Sequence, residues 1–374
     1  PEQQQATESV AGKELDAIAQ KPAANDMPSS EITAKKVPDV SSEAEPAAAL
    51  PTGQLVEVLT DTYRAVIDTR GGTLVELDLL NYAESHEPGS PPFKLLERSD
   101  AQLFIAQSGL RTGETDAEPN HHALFTVDQT RYRLPEGADS MEIPLYWTDG
   151  NGVEVTKIYR FHRGSYVVDV GFDITNDSSE PWNARPYYQL QRTPLKKKSR
   201  FLYTYTGGVI YSPEEKYEKI KFKDMEEENL SRDITGGWAA MLQHYFLGAL
   251  IPDPEITAHY YTRALGNEHY LIGFSDPALN VAPGEQASTR VRLFAGPKLQ
   301  HMMAKVAPGL ELTVDYGKLT LLAQPIFWLL EKIHGLVGNW GWSIIFLTMI
   351  IKGLFFKLSE TSYRSMANMR KLAP

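Results

Sequence analysis

The sequence predicts a mainly β protein: a large antiparallel sandwich, then an amphipathic helix, then one transmembrane helix. Three observations carry this prediction. Short runs of alternating apolar and polar residues fill the chain from residue 51 to about 297. An apolar stripe with helical spacing follows at 319–337, and a nearly uninterrupted apolar run follows at 342–358. Period-two alternation is typical of half-buried strands, whereas spacings of three and four residues are typical of amphipathic helices.

Residues 1–50 differ in composition from everything that follows them. They are rich in Ala, Pro, Glu, Gln and Ser and contain no aromatic residue. Such a segment cannot bury enough apolar surface to offset the entropy of ordering its backbone. We therefore expect residues 1–50 to be a disordered linker.

The residue pattern of 51–310 predicts a sandwich domain with a short helix at its C-terminal end. Its clearest alternating run places five side chains on one face: Tyr166, Val168, Val170, Phe172 and Ile174. The run 153–161 predicts a hairpin partner that turns at Arg163-Gly164. So many short strands, broken by Gly, Pro, Asn and Asp, favour an antiparallel sandwich over a parallel α/β sheet. The helix is expected within 298–308.

Composition excludes several classes of function. The net charge is −11, which disfavours a nucleic-acid partner, and there is no cysteine for a disulfide, a Cys–zinc site or a thiol nucleophile. The sequence has no HExxH, nucleophile-elbow or P-loop pattern, so we expect no metal, no cofactor and no enzymatic activity. Residues 318–374, by contrast, carry 7 basic and 2 acidic side chains, which favours a membrane surface.

The segment 311–338 is expected to be an amphipathic helix lying in the membrane interface. Its apolar stripe consists of Leu319, Leu322, Ile326, Leu330, Ile333 and Val337. The apolar runs between its polar residues are too short to cross a bilayer, whereas a striped helix can lie in the interface. Packing of the same stripe on the sandwich is the alternative.

The segment 339–358 is expected to be the transmembrane helix. Its 17-residue core, 342–358, would be about 25 Å long, at the short end for a span. Trp340 and Trp342 would mark one membrane interface. The basic side chains that would mark the cytoplasmic end are Lys357, Arg364, Arg370 and Lys371. By the positive-inside rule, residues 1–338 are then periplasmic, and 359–374 begin a cytoplasmic basic segment.

Lys352 stands inside this apolar segment, where a central lysine costs about 2.5–3.5 kcal/mol on the insertion scale. Its stem could reach the cytoplasmic headgroups, or its ammonium could line a polar cavity in a helix bundle. The periodicity of the sequence does not distinguish between these two positions of the Lys352 side chain.

Two long motifs resemble the YidC/Oxa1/Alb3 family of membrane proteins in its Gram-negative form. The first is "DYGKL…AQPIFWLLEKIH…VGNWGWSIIFLTMIIKG" with "SYRSMANMRKLAP", and the second is "GGWAAMLQHYF" at 236–246. The resemblance covers about residues 51–374. It implies a periplasmic β-super-sandwich similar to galactose mutarotase, between the first two of six transmembrane helices.

The resemblance also implies a function and a site. Members of the family insert and fold membrane proteins through a hydrophilic groove that carries a basic residue, commonly arginine, and Lys352 stands at that position. Lys357 replaces a common proline, so we expect a straighter helix end. Implied partners are nascent membrane proteins, the lipid bilayer, SecYEG and SecDF, with ribosome contact through cytoplasmic regions that the chain lacks.

An alternative function is a membrane-anchored exported domain that binds carbohydrate or resembles a mutarotase. Trp182, Tyr187 and Tyr188 could line a sugar cleft in such a sandwich. A carboxylate pair or a His–Glu pair in a concave aromatic cleft would favour it.

Overall fold

The protein folds into two units that are consecutive in the sequence. The computed structural model describes residues 53–99, 102–113, 118–195, 205–314 and 320–372. One compact unit ends at Thr313 and the second begins at Val314. The predicted linker 1–50 and the stripe residue Leu319 lie outside the described residues.

The described residues of the first unit form two large β-sheets, and the larger has 11 strands among them. Its strands are β1 (Leu55–Leu59), β2 (Tyr63–Asp68), β3 (Thr73–Ala83), β4 (Pro92–Arg98), β5 (Leu103–Arg111), β6 (Arg131–Arg133), β10 (Trp182–Arg192), β13 (Ser231–Thr235), β16 (Thr257–Gly266), β17 (His269–Ser275) and β18 (Leu279–Val281). Its spatial order is β13-β16-β17-β10-β5-β4-β3-β2-β1-β6, with β18 paired to β10. The recorded pairings are antiparallel apart from β1 with β6.

The smaller sheet has 8 strands in the order β12-β11-β14-β15-β19-β9-β8-β7. Its strands are β7 (Ser140–Thr148), β8 (Val153–His162), β9 (Val167–Asn176), β11 (Gly207–Ser212), β12 (Lys216–Ile220), β14 (Trp238–Leu242), β15 (Phe246–Ile251) and β19 (Glu285–Pro297). The mainly β prediction is therefore confirmed, as is the β8–β9 hairpin, which turns through Gly164 at φ +67°.

The core lies between the two sheets. Val168, Phe172 and Ile174 of β9 are at most 1% exposed, as their alternation predicts. The Tyr63 hydroxyl on β2 donates to the Ala295 carbonyl on β19 at 2.6 Å, so a hydrogen bond joins the sheets directly. Burying each such large side chain contributes roughly 1.5–3 kcal/mol, and this burial is what holds the sheets face to face.

The outer strands of the sheets carry groups that discourage further pairing. β7 is an edge strand of the smaller sheet, and it contains Pro144, which has no N–H to offer a neighbour. β12 and β13 are edge strands of different sheets, and Arg232 on β13 joins them. Its guanidinium donates to Glu215 at 2.6 Å and to Glu218 at 2.9 Å.

Helices are short in the first unit and dominate the second. The first unit has α1 (Phe222–Glu227), α2 (Gln300–Val306) and a 3₁₀ turn at Leu310–Thr313. α2 falls within the predicted segment 298–308. The second unit has α3 (Thr320–Val337), α4 (Trp340–Leu354) and α5 (Phe356–Leu372).

Candidate functional site

A tight turn joins α3 to α4 and fixes how the two helices pack. Gly338 ends α3 at φ +70°, where a side chain would be strained, and its N–H donates to the His334 carbonyl at 2.7 Å. Asn339 then caps α4, because its side-chain oxygen accepts the Trp342 N–H at 3.2 Å. The His334 ring stacks on Trp340 with 3.8 Å between ring centroids.

One face of α4 packs within the helical unit. Ser343 is fully buried, Leu347 is 6% exposed and Ile351 is half-buried, so the buried positions recur every four residues. Ser343 completes its hydrogen bonding by donating to the Asn339 carbonyl at 2.7 Å. The rest of α4 presents apolar side chains outward, including Ile344, Met349 and Leu354.

Lys352 lies on this outward, apolar part of α4. It directly follows Ile351, so it projects about 100° around the helix from the buried face. Its side chain is exposed, and no ion pair recorded among the described residues includes it. Thr348 occupies the turn before it and donates its hydroxyl to the Ile345 carbonyl at 2.8 Å. The ammonium thus lies beside apolar side chains of α4, and no acidic side chain in the described part of the chain pairs with it.

The helix breaks three residues after Lys352, and this corrects the prediction of one straight helix through 342–358. α4 ends at Leu354, Phe355 takes φ −91° and ψ 3°, and α5 begins at Phe356. The axes of the two helices differ by 56°. Gly353 lies next to the break, and glycine lowers the cost of leaving helical geometry by about 1 kcal/mol. The expected straighter end at Lys357 is therefore wrong.

The break also determines which helices could together cross a membrane. Among the described residues, no single helix is both long and apolar enough to cross a bilayer. The bent pair Trp340–Leu354 and Phe356–Met366 meets the requirements of length and composition only when taken together.

The predicted interface residues are mostly exposed. Trp340 and Trp342 are 49% and 57% exposed near the start of α4. Lys357 and Arg364 are exposed on α5, where Arg364 pairs with Glu360 at 3.1 Å. Arg370 and Lys371 lie on the last turns of α5.

The predicted stripe of α3 is divided between two environments. Leu322, Ile326 and Val337 are exposed, whereas Leu330 and Ile333 are half-buried. The stripe therefore does not cover a single buried face within the helical unit.

The sandwich holds a second lysine that the sequence analysis missed. Lys157 on β8 is fully buried, and its ammonium donates to the Gly71 carbonyl at 2.8 Å and to the Ser108 carbonyl at 2.9 Å. Phe172 and Tyr159 lie below it, with 5.5 and 5.6 Å from the nitrogen to the ring centroids. Burial lowers the pKa of Lys157 well below its usual value. The alternation of β8 carries the missed signal, since it places Lys157 on the same inward face as Val155.

A buried carboxyl group lies elsewhere in the sandwich. Asp276, just after β17, is 4% exposed, and its Oδ1 has no hydrogen-bond partner among the described residues. Burial raises the pKa of Asp276 to about 7, with a smaller contribution from the charge of Asp253, while a hydrogen bond from Thr289 opposes the rise.

Three residues at the edge of the larger sheet are aligned like a nucleophile, base and acid. The Ser231 hydroxyl lies 3.3 Å from His259 Nε2, and His259 Nδ1 lies 2.7 Å from an Asp233 oxygen. The Asp233 side chain is 71% exposed on an outer strand, so water screens it and no enclosed site surrounds the group. The described residues also contain no group of three or more potential ligands that could hold a metal ion.

Comparison with known proteins places the two units in one family. The family described as the YidC periplasmic domain matches residues 55–329. The family described as the 60Kd inner membrane protein matches residues 332–374. The chain thus combines a β domain of a periplasmic type with helices of an inner-membrane protein. It belongs to the YidC family.

Similar curated proteins carry the name membrane protein insertase YidC. The chain is 50% identical to the one from Methylococcus capsulatus over 85% of its own length, and 46% identical to the one from Alkalilimnicola ehrlichii, also over 85%. It is 42% identical to the one from Nitrosococcus oceani over 94% of its length. It spans 57–66% of the length of these three relatives.

Two solved structures that the chain matches share only a distant resemblance with it. A galactose mutarotase related enzyme from Lactobacillus acidophilus matches 65% of this chain and 97% of its own, with TM-score 0.43 and 8% identity. A putative aldose 1-epimerase from Escherichia coli matches 65% of this chain and 99% of its own, with TM-score 0.39 and 9% identity.

Proposed function

We propose that this chain is part of a membrane protein insertase and chaperone, and that Lys352 supplies the charge of a hydrophilic groove. One observation carries the proposal: an exposed ammonium with no recorded counter-ion lies on an otherwise apolar helix. Intramembrane charges are costly and usually face a bundle interior or a water-filled cavity. The name carried by the similar curated proteins supports the same function.

The energetics of α4 support a hydrated position for Lys352. α4 has 15 residues and is about 22 Å long, short of a hydrocarbon core of about 30 Å. Eight of its residues are Leu, Ile, Phe or Met, each worth at most about −0.6 kcal/mol, so one lysine offsets most of their contribution. The pair α4 and α5 is therefore only marginally stable in lipid unless water or polar helices solvate the ammonium.

The proposed mechanism uses solvation and charge, with no covalent step. A wet groove in the bilayer lowers the cost of moving a client's polar terminus partway across. The ammonium attracts acidic residues of that terminus. The client's apolar helix then leaves sideways into lipid, driven by burial of its apolar surface. No catalytic residue is assigned, because no bond forms or breaks.

The proposed topology follows from the basic residues of α5. Residues 1–338 lie in the periplasm, with 1–50 as linker and 51–310 as sandwich, and 311–338 contain the interfacial helix with its stripe of Leu322, Ile326, Leu330 and Ile333. Residues 339–358 enter the membrane from Trp340 and Trp342. Residues 359–374, which contain Arg364, lie on the cytoplasmic side, and Lys357 lies just before them at the end of the membrane segment.

The proposed partners are client membrane proteins and the lipid bilayer. SecYEG and SecDF are proposed on the family resemblance alone. The ribosome is proposed through cytoplasmic regions of the longer protein.

Replacing Lys352 in the full-length protein tests the function. Cells depleted of the native protein and expressing Lys352→Ala should insert clients with acidic translocated tails at least about 10-fold less well, a loss of roughly 1.4 kcal/mol. Lys352→Arg should retain insertion, because it keeps the charge. Protease protection of the client tail measures both.

Lys357→Ala is the matched control, since it removes an exposed lysine five residues further along the chain. It should insert the same clients normally. Neutralising the acids of the client tail should shrink the difference between Lys352→Ala and the unchanged protein. If both alanine variants insert clients with acidic and neutral tails equally well, the charge of Lys352 has no role in insertion.

A further inference from the structure

Exposed apolar side chains gather where the chain leaves the sandwich. Six large apolar residues of the described part of the first unit are exposed, and three of them, Tyr245, Leu299 and Leu312, lie close to this exit. Tyr245 is at the tip of the β14–β15 hairpin and is 68% exposed, while Leu299 and Leu312 are 37% and 38% exposed. We call these three residues, together with Lys298, the exit patch.

Lys298 holds the exit patch together. Its backbone N–H donates to the Tyr245 carbonyl at 2.8 Å, and its ammonium donates to the Thr313 carbonyl at 3.3 Å. The hairpin tip, the residue before α2 and the last residue of the unit are therefore neighbours. The side chains of Tyr245 and Leu299 are exposed beside these contacts, so they can meet an external surface.

The charge around the exit patch differs from that of the whole chain. The chain carries a net charge of −11, yet Lys298 and Lys305 lie within eight residues of each other, with His301 between them. Lys305 and His301 are exposed on α2. The nearest acidic residue along this segment is Glu311, and its Oε2 is buried. The surface at this end therefore combines aromatic, aliphatic and cationic groups.

We propose that the exit patch contacts the headgroup region of an anionic phospholipid membrane. Tyrosine with leucine suits the boundary between headgroups and acyl chains, and nearby lysines are attracted to anionic lipid. A stable protein partner would need an interface of about 20–30 residues on each side, which three apolar side chains do not supply. A weak lipid contact needs only a few residues when another part of the chain already anchors it.

The position of the exit patch in the chain supports lipid as the occupant. The unit ends at Thr313, and α3 begins at Thr320. Seven residue steps reach about 25 Å at most when fully extended. The inference rests on the proposed membrane position of the helical unit, and it adds a second, separate contact made by the β domain itself.

Single-cysteine labelling of the whole chain tests this contact, because the sequence has no cysteine of its own. Leu299→Cys, carrying an environment-sensitive dye, would be reconstituted in vesicles of phosphatidylethanolamine with phosphatidylglycerol and a headgroup-attached quencher. Leu124→Cys is the matched control, since Leu124 is 58% exposed in another loop of the same domain. We expect the quencher to reduce emission at least about 3-fold more at 299 than at 124. Adding Lys298→Glu and Lys305→Glu should weaken the quenching at 299.

Met349→Cys on α4 separates this inference from the proposed function. Quenching of that label by an acyl-chain quencher, with equal weak quenching at 299 and 124, would overturn the exit patch alone. Quenching at 299 without quenching at 349 would support the exit patch and contradict the membrane position of α4. A label at 299 that is shielded equally in detergent and in vesicles would point to a protein occupant and overturn the lipid assignment.

Discussion

Two lysines of this chain are surrounded by apolar side chains, but the protein encloses only one of them. Lys157 is fully buried in the sandwich, where two backbone carbonyls accept its hydrogens and two aromatic rings lie nearby. Lys352 is exposed on α4, beside outward-facing Ile and Met side chains. Backbone carbonyls of the β domain accept hydrogen bonds from the Lys157 ammonium. The Lys352 ammonium must instead be solvated by groups outside the helical unit.

The comparison shows that an apolar neighbourhood does not define a lysine's role. Lys157 is buried and donates to two backbone carbonyls, so we infer that its role is structural. Lys352 has no recorded protein acceptor in the described part of the chain, so its ammonium is available to water, lipid or a client. Four substitutions can break or sharpen this contrast.

The largest effect is expected at Lys157. Lys157→Ala should lower the free energy of unfolding of the first unit by about 3–5 kcal/mol, because it leaves a cavity and removes a buried donor from two carbonyls. Lys157→Met keeps most of the volume and loses only the donor, so it should cost about 1–3 kcal/mol. Urea unfolding followed by tryptophan fluorescence measures both. A change below about 0.5 kcal/mol in Lys157→Ala would contradict the structural role.

The next largest effect concerns insertion of the helices. Lys352→Leu should make membrane insertion of the segment 340–366 more favourable by about 3 kcal/mol, because it exchanges a charged side chain for an apolar one. The glycosylation-based insertion assay in microsomes reports this free energy. Lys357→Leu provides the control and should change less, because Lys357 lies beyond the break at Phe355. Equal shifts for the two variants would mean that α4 places its lysine no deeper than α5 does.

A third substitution tests whether burial also makes a charge costly when the charge is negative, as it is on Asp276. Burial raises the pKa of Asp276 to about 7 in the folded state from its ordinary value of 3.8, so between these pH values the folded state holds a proton that the unfolded state releases. Stability contributed by this group therefore falls as pH rises from 4 towards 7. Asp276→Asn should stabilise the sandwich by about 1–3 kcal/mol at pH 8.

The benefit of Asp276→Asn should shrink as the pH is lowered towards 4, because the buried carboxyl is then neutral in the folded state and the unfolded chain also begins to bind the proton. Thermal unfolding of both proteins across this pH range gives the comparison. Asp253→Asn is a control of the same chemistry on a neighbouring residue, and it should give a smaller shift. A difference between wild type and Asp276→Asn that stays constant with pH would rule out its titration as the cause.

The smallest effect is expected for Lys352→Ala on the sandwich. The free energy of unfolding of the first unit should change by less than about 0.5 kcal/mol, because Lys352 is exposed on the other unit. Chemical denaturation in detergent measures this value. A larger loss would mean that the two lysines belong to one cooperative structure.

Local patterns predicted the faces of strands but not their long-range partners. Alternation in β9 placed Val168, Phe172 and Ile174 inward, and the same rule applied to β8 would have placed Lys157 inward. It could not identify Gly71 and Ser108 as acceptors, since they lie 86 and 49 residues away along the chain. Hydropathy found the segment around Lys352, but it could not find the break at Phe355, because the apolar run continues across it.

The charged and proline-bearing edge strands have a consequence for the proposed insertase, whose clients would be incompletely folded chains. An extended polypeptide can pair with an exposed edge strand through its backbone amides. Pro144 removes one such amide on β7, and Arg232 links the β12 and β13 edges through Glu215 and Glu218. Under the proposed function, these edges disfavour pairing with a client segment, so the sandwich would keep its own strands apart from the chain being inserted.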